Sequence, residues 1–213
     1  VDFSEPEVLQ LALSDIPVVT IDYIFNDRLA VVSDNAKGME DLFTYIYQMG
    51  HRRIAYIHGT DSAVTTNRLS SFYRTAEKLG VEIPDEYVMM TRYRDNKGAG
   101  EATEKLLDLR RPPTCIIYPD DFAAFGGIHV IRERGMSIPE DISIAGYDGI
   151  RLAKLTVPNL TTLCQDTQHL GQYAAEKLID LIEKPKTAMR NITIVQGKLY
   201  EGQTVLKLDG SRG

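Results

Sequence analysis

The chain has 213 residues, 43% of them apolar and 25% charged, ordinary globular values that exclude a disordered or collagen-like chain. Thirty acidic against 24 basic side chains leave a formal net charge of −6, which argues against a nucleic-acid-binding face on this chain itself. Two cysteines are too few for a disulfide framework and fit a reducing, cytoplasmic setting, and no apolar run approaches the ~18–20 residues of a membrane span.

Residue 1 is Val, and residues 1–5 have neither the basic leader nor the apolar core of a signal peptide. The abrupt start in helix-like material leads to the expectation that the sequence is a piece of a longer polypeptide. Runs at 17–22, 29–34, 53–58, 87–93, 114–118, 142–147 and 160–164 are short, mostly apolar and β-branched, and predict strands covered on both faces. Helical stripes fall between them. Met39, Leu42, Phe43, Ile46 and Met49 make one, with Asp34 or Asn35 as N-cap and Gly50 as stop. Leu69, Phe72, Ala76 and Leu79 precede Gly80, and Phe122, Phe125, Ile128 and Ile131 precede Gly135. Leu170, Ala174, Leu178 and Leu181 lie ahead of Pro185. This alternation predicts parallel sheets with helices on both faces and right-handed crossovers. Residues 192–199 and 204–208 predict two strands in a hairpin or at a sheet edge, and 209–213 a tail.

Ligands of open parallel sheets bind beyond the carboxyl ends of the strands. Asp22, Asp34, Gly59-Thr60-Asp61, Asp120-Asp121, Asp148 and Gln165-Asp166 follow the predicted strands. For Asp34 and Asp121 a helix-terminal role is the simpler expectation. Asp120 and Asp148, the latter beside Tyr147 and Gly149, are candidates to hydrogen-bond the hydroxyls of a small ligand. Arg68, in the first turns of the helix after Thr60, is either a solvated surface arginine or a fork donor to such a ligand. The four histidines and two cysteines lack metal-ligand spacing, and no Walker loop, dinucleotide fingerprint or nucleophile elbow is present. No cofactor and no metal are therefore expected.

Several runs together resemble one family. Gly50-His51-Arg52-Arg53-Ile54-Ala55-Tyr56-Ile57, Arg68-Leu69-Ser70-Ser71-Phe72, Tyr118-Pro119-Asp120-Asp121 through Gly126, Ile138-Pro139-Glu140-Asp141-Ile142 through Asp148, and Pro158-Asn159-Leu160-Thr161-Thr162 with Gln165-Asp166 are similar, in order, to motifs of the lactose-repressor/galactose-repressor (LacI/GalR) regulators. The resemblance covers about residues 16–205. It implies an α/β, periplasmic-binding-protein-like type I core: two doubly wound parallel-sheet lobes joined by three crossovers near Gly59-Thr60, Cys164-Gln165 and Asn191. The lobes are then 1–60 with 165–191, incomplete at its start, and 61–164 with 192–208.

The resemblance further implies a sugar-like effector between the lobes, bound by Arg68, Asp148, Gln165 and Asp120, the last standing where the family has asparagine. The family's stacking aromatic falls at Arg94-Asp95-Asn96, with Tyr93 as the nearby candidate. The implied partners are operator DNA, through a helix-turn-helix head absent from this sequence, and a second copy in a homodimer, with no membrane. The alternatives are a solute-binding protein of a sugar transport system and an enzyme holding Mg²⁺ at Asp120, Asp121 and Asp148. The second lacks the positioned Lys and Ser/Thr of such sites, and no enzymatic role is expected.

Overall fold

The computed structural model describes residues 10, 16–24, 29–185 and 191–209. In chain order its elements are β1 (Thr20–Ile21), β2 (Ala30–Ser33), α1 (Asn35–Gln48), β3 (Ile54–His58), α2 (Ala63–Lys78), β4 (Val88–Met90), α3 (Asn96–Leu107), β5 (Cys115–Ile117), α4 (Asp121–Glu133), β6 (Ser143–Asp148), β7 (Thr161–Cys164), α5 (Thr167–Glu183), β8 (Ile192–Val195) and β9 (Lys198–Tyr200). Short 3-10 turns occupy Asp85–Tyr87 and Arg151–Lys154. The chain forms two compact units, Val1–Ser33 with Asp166–Val195, and Asp34–Gln165 with Gln196–Gly213.

The smaller unit is a parallel sheet in the order β1-β2-β8. Val31 and Val195 pack there with Leu170 and Ala174 of α5.

The larger unit is a six-stranded sheet in the order β4-β3-β5-β6-β7-β9, parallel except where β9 runs against β7. Successive side chains of a strand point to opposite faces, and the core divides accordingly. Ile54, Tyr56, Cys115, Ile117, Ala145 and Tyr147 face Met39, Leu42, Phe43 and Ile46 of α1 and Phe72 and Ala76 of α2. Ala55, Ile57, Ile116 and Ile144 face Ala99, Ala102 and Leu106 of α3 and Ala123, Ala124 and Ile131 of α4. Each of these four helices starts with a side-chain cap just past a strand: Asp34, Ser62, Asp95 and Asp120. The expected stops Gly50, Gly80 and Gly135 all have positive φ.

Several expectations are corrected. The first lobe boundary lies at Ser33/Asp34, not near residue 60. β3 is an inner strand of the six-stranded sheet, hydrogen-bonded to β4 and β5, so α1 and β3 belong to the larger unit. Residues 192–199 are two strands rather than one and form no hairpin with 204–208; the sheet-edge alternative holds, with β8 the edge strand beside β2 in one unit and β9 the edge strand beside β7 in the other. Residues 204–208 form no strand but a strap across the amino ends of the sheet. Thr204 Oγ1 donates to Ile144 O at 2.8 Å and accepts from Thr161 N–H, while Leu206 N–H donates to Ser143 Oγ. His51 Nε2 donates to Leu206 O at 3.0 Å, and Leu208 N–H to Met49 O. The stripe read on α4 is only partly core, since Phe122 is 39% exposed and the helix buries its small residues instead. Most of the expected start of the chain, and residues 210–213 of the tail, lie outside the described residues.

Candidate functional site

The strand order places β4 on one side of β3 and β5 on the other. The carboxyl ends of β3 and β5 therefore flank a switch point, where doubly wound sheets open a ligand crevice. The helices that follow these strands present their N-termini to the same rim.

Arg68 reaches the rim from the second turn of α2 and is 2% exposed. Its Nε donates to Asn35 Oδ1 at 2.8 Å and its Nη1 to Pro119 O at 2.9 Å, and the guanidinium lies 3.5 Å over the ring of Tyr147. A buried arginine needs such partners to offset its desolvation. These bonds fix the fork and leave Nη2 facing Asp148 Oδ1 at 3.9 Å, too far for a direct hydrogen bond.

Asp148 ends β6 at φ 101, in the left-handed region that non-glycine residues avoid. Gln165, just past β7, clamps it twice: Nε2 donates to Oδ1 at 2.9 Å and the backbone N–H to Asp148 O at 3.1 Å. Although 32% of the side chain reaches solvent, protein surrounds the carboxyl. Burial pushes it up to about 7 against the pull of Arg68, with Asp121 and Asp120 adding to the rise and Arg94 opposing it.

Asp120 is 1% exposed. Its Oδ1 accepts from Ala123 N–H at 2.8 Å, capping α4, and its Oδ2 from Arg94 N–H at 2.7 Å. Both oxygens serve the backbone, so Asp120 is a cap and a tether rather than an open contact. Asp121 is wholly buried, accepts from Thr162 Oγ1 and Ile150 N–H, and is raised to about 6 by burial. Both carboxylates are thus committed to partners other than the Mg²⁺ of the enzyme alternative. Among the described residues no group of three or more His, Cys, Asp or Glu is disposed to hold a metal ion.

Tyr93 is half-buried, and its hydroxyl donates to Thr65 Oγ1 at 2.9 Å, which passes its own proton to Thr60 O. Its ring lies against Gly59, where a β-carbon would come within 2.1 Å of it. Asn35, Tyr147 and Arg94 also belong to this rim. Sequence reading took Asn35 only as a possible cap and Arg94 only as the absence of an aromatic. Their positions after strand ends were the available signal.

The description "periplasmic binding protein-like domain" matches residues 43–205. The chain belongs to the periplasmic-binding-protein-like family. Its relatives within this family are regulators of the LacI/GalR type. It is 28% identical over 194 residues to a repressor of Bacillus subtilis, "Probable HTH-type transcriptional repressor ExuR", covering 90% of this chain and 58% of that protein. It is 30% identical over 151 residues to the HTH-type transcriptional repressor CytR of Escherichia coli, covering 70% and 44%. Among solved structures, a LacI transcriptional regulator from Bacillus cereus subsp. cytotoxis superposes with a TM-score of 0.89 at 26% identity, over 97% of this chain and 74% of that one. A LacI family regulator from Enterococcus faecium, solved with bound ribose, gives 0.83 at 24%, over 96% and 75%. This periplasmic-binding-protein-like chain thus spans about half the length of the curated relatives it matches. The relatives named are repressors, which weighs against the transport alternative. No helix of the described residues is long and apolar enough to cross a membrane.

Proposed function

We propose that the chain is the effector-binding and dimerisation core of a LacI-type transcriptional regulator that works in the cytoplasm. A small polar, sugar-like ligand is held at Arg68, Asp148 and Gln165, flanked by Tyr93. Operator DNA is bound by a head outside these 213 residues. The observation that carries this reading is the gap between Arg68 and Asp148: two charged groups, each anchored by other partners, 3.9 Å apart. A ligand with neighbouring hydroxyls can accept from Nη2 and donate to Oδ1, replacing a weak ion pair by two charge-assisted hydrogen bonds. The ribose bound in the Enterococcus faecium relative supports a sugar-like ligand. Asp120, first expected to contact it, is assigned to positioning. No cofactor enters this mechanism.

The ligand biases operator binding only through its differential affinity for two arrangements of the regulator, a coupling of typically ~1–3 kcal/mol. For the homodimer, the supporting feature is an exposed apolar patch on the larger unit. Val157 is 83%, Leu155 67% and Leu152 48% exposed, and Phe125, Ile128 and Thr156 line a groove with Val157. Patches of this kind mark association surfaces, and a two-fold dimer buries the same patch on both copies.

The test is a thermal-shift and calorimetric screen of the 213-residue chain against sugars, sugar phosphates and nucleosides. A binder raises stability by RT ln(1 + [L]/Kd). Arg68→Ala also strips Asn35 and Pro119 of their partner and is expected to destabilise the fold, so the informative variants are Arg68→Lys and Gln165→Ala. Each is expected to weaken the binder roughly tenfold or more. Unchanged affinity in both refutes this site.

A further inference from the structure

The rim carries three acidic and two basic side chains, and most of that charge is already spoken for. Asp120 and Asp121 are buried, and their oxygens accept from Ala123 N–H, Arg94 N–H, Ile150 N–H and Thr162 Oγ1. Arg68 is divided between Asn35, Pro119 and the face of Tyr147. Asp148 is clamped by Gln165, and burial pushes its carboxyl up to about 7. Arg94 is different. Its side chain is exposed, and among the described residues its guanidinium has no hydrogen bond or ion pair. Yet its backbone N–H donates to Asp120 Oδ2 at 2.7 Å, which places Arg94 on this rim, and its charge opposes the rise at Asp148.

The backbone of Arg94 is fixed by its neighbours. It stands at φ 58, a conformation costly for a side-chain-bearing residue. A buried carboxylate fixes its N–H at 2.7 Å. Next to it, Asp95 caps α3 by accepting from Gly98 N–H. Tyr93 on the other side is pinned by Thr65 and Gly59. The chain thus holds a strained residue in place whose guanidinium meets nothing of its own.

We infer that Arg94 is a specificity-determining residue that receives an anionic group, carboxylate or phosphate, of the effector whose hydroxyls lie between Arg68 and Asp148. This inference rests on the effector reading above and narrows it to acidic or phosphorylated sugar-like compounds. A guanidinium suits both anions, because its planar fork donates two parallel hydrogen bonds to paired oxygens.

The test uses matched sets: hexoses, pentoses and nucleosides, each beside its uronate or its phosphate ester, titrated into the 213-residue chain by calorimetry. At least one anionic member is expected to bind more tightly than its neutral parent. In Arg94→Gln the ratio of anionic to neutral affinity is expected to fall roughly tenfold or more, and Arg94→Lys is expected to retain part of it. Uronates and phosphates in separate arms identify which anion is meant. A preference for the neutral parent in every set, or an anionic preference that survives Arg94→Gln, overturns the inference while leaving the effector reading in place. Silence of the whole panel counts against both.

Discussion

At the scale of single residues, Asp148 and His51 of the larger unit pull stability in opposite directions. Asp148 is raised to about 7. Between the ordinary carboxylate range near 4 and about 7, the folded chain keeps a proton that the unfolded chain has released. Stability therefore falls as pH rises through that window. His51 is lowered to about 4, chiefly by burial, with Arg52 and Arg53 adding to it. Between about 4 and 6.5 the unfolded chain takes up a proton that the folded chain refuses, so stability rises with pH. In Asp148→Asn only the second slope and that of Asp121 remain. Its stability is expected to rise more steeply from pH 4.5 to 6.5 than that of the parent. The difference is at most ~1.4 kcal/mol per pH unit, reduced by the solvent-facing part of the side chain. Denaturant midpoints across that range check it, and superimposable profiles refute the assignment. A second prediction concerns Asp120. Asp120→Asn keeps one acceptor but sets an amide N–H₂ against either Ala123 N–H or Arg94 N–H. The loss of one buried bond is expected to cost about 1–3 kcal/mol, and faster amide exchange at Arg94 or Ala123 will show which one went.

At the scale of elements, α3 and α4 touch through glycine. A β-carbon on Gly126 would lie 1.9 Å from Asn96 O, so the close approach of the helices depends on its absence. Gly126→Ala is expected to destabilise by about 1–3 kcal/mol. Gly171 on α5 has nothing within 4 Å of such a carbon, so Gly171→Ala is expected to stabilise by up to ~1 kcal/mol. Chemical denaturation of the two variants reads both signs. The elements also show what the sequence could reveal. Strands and helix stripes were legible because residues such as Ile54, Tyr56, Met39 and Phe43 carry the periods of 2 and 3.6 directly. The boundary at Ser33/Asp34 was not, because a strand apolar on both faces, as β3 is, fits the middle of either sheet. The pairings of β8 and β9 were hidden because both are short, largely exposed edge strands, whose partner no local pattern names. Asp148 could be picked out by its place at the end of a strand, and Arg68 only through the resemblance of its helix to the family motif. That Asp120 ties down Arg94 N–H as well as capping α4 depends on the fold of the 93–95 loop, which no local pattern encodes.

At the scale of the whole molecule, the exposed patch around Val157 gives the proposed dimer a direct handle. Val157→Asp places a charge in the middle of an apolar surface, where association would bury it unpaired. Because Val157 is 83% exposed, the fold itself is expected to be unaffected. Sedimentation should show a shift from dimer to monomer with an unchanged circular dichroism spectrum. A parent that is monomeric at tens of micromolar refutes the dimer proposal.

The strap at 204–208 has a consequence for how the protein is made. It ties together His51, Ser143, Ile144 and Thr161, which are all translated earlier. Between those residues and the strap, the chain leaves the larger unit to build α5 and β8 of the smaller one. During synthesis the six-stranded sheet must therefore wait, its amino ends unlatched and β7 lacking its β9 neighbour, until the excursion is complete. A nascent chain halted anywhere in 166–195 holds an unsealed sheet with an open strand edge, the state most exposed to mispairing and to capture by chaperones.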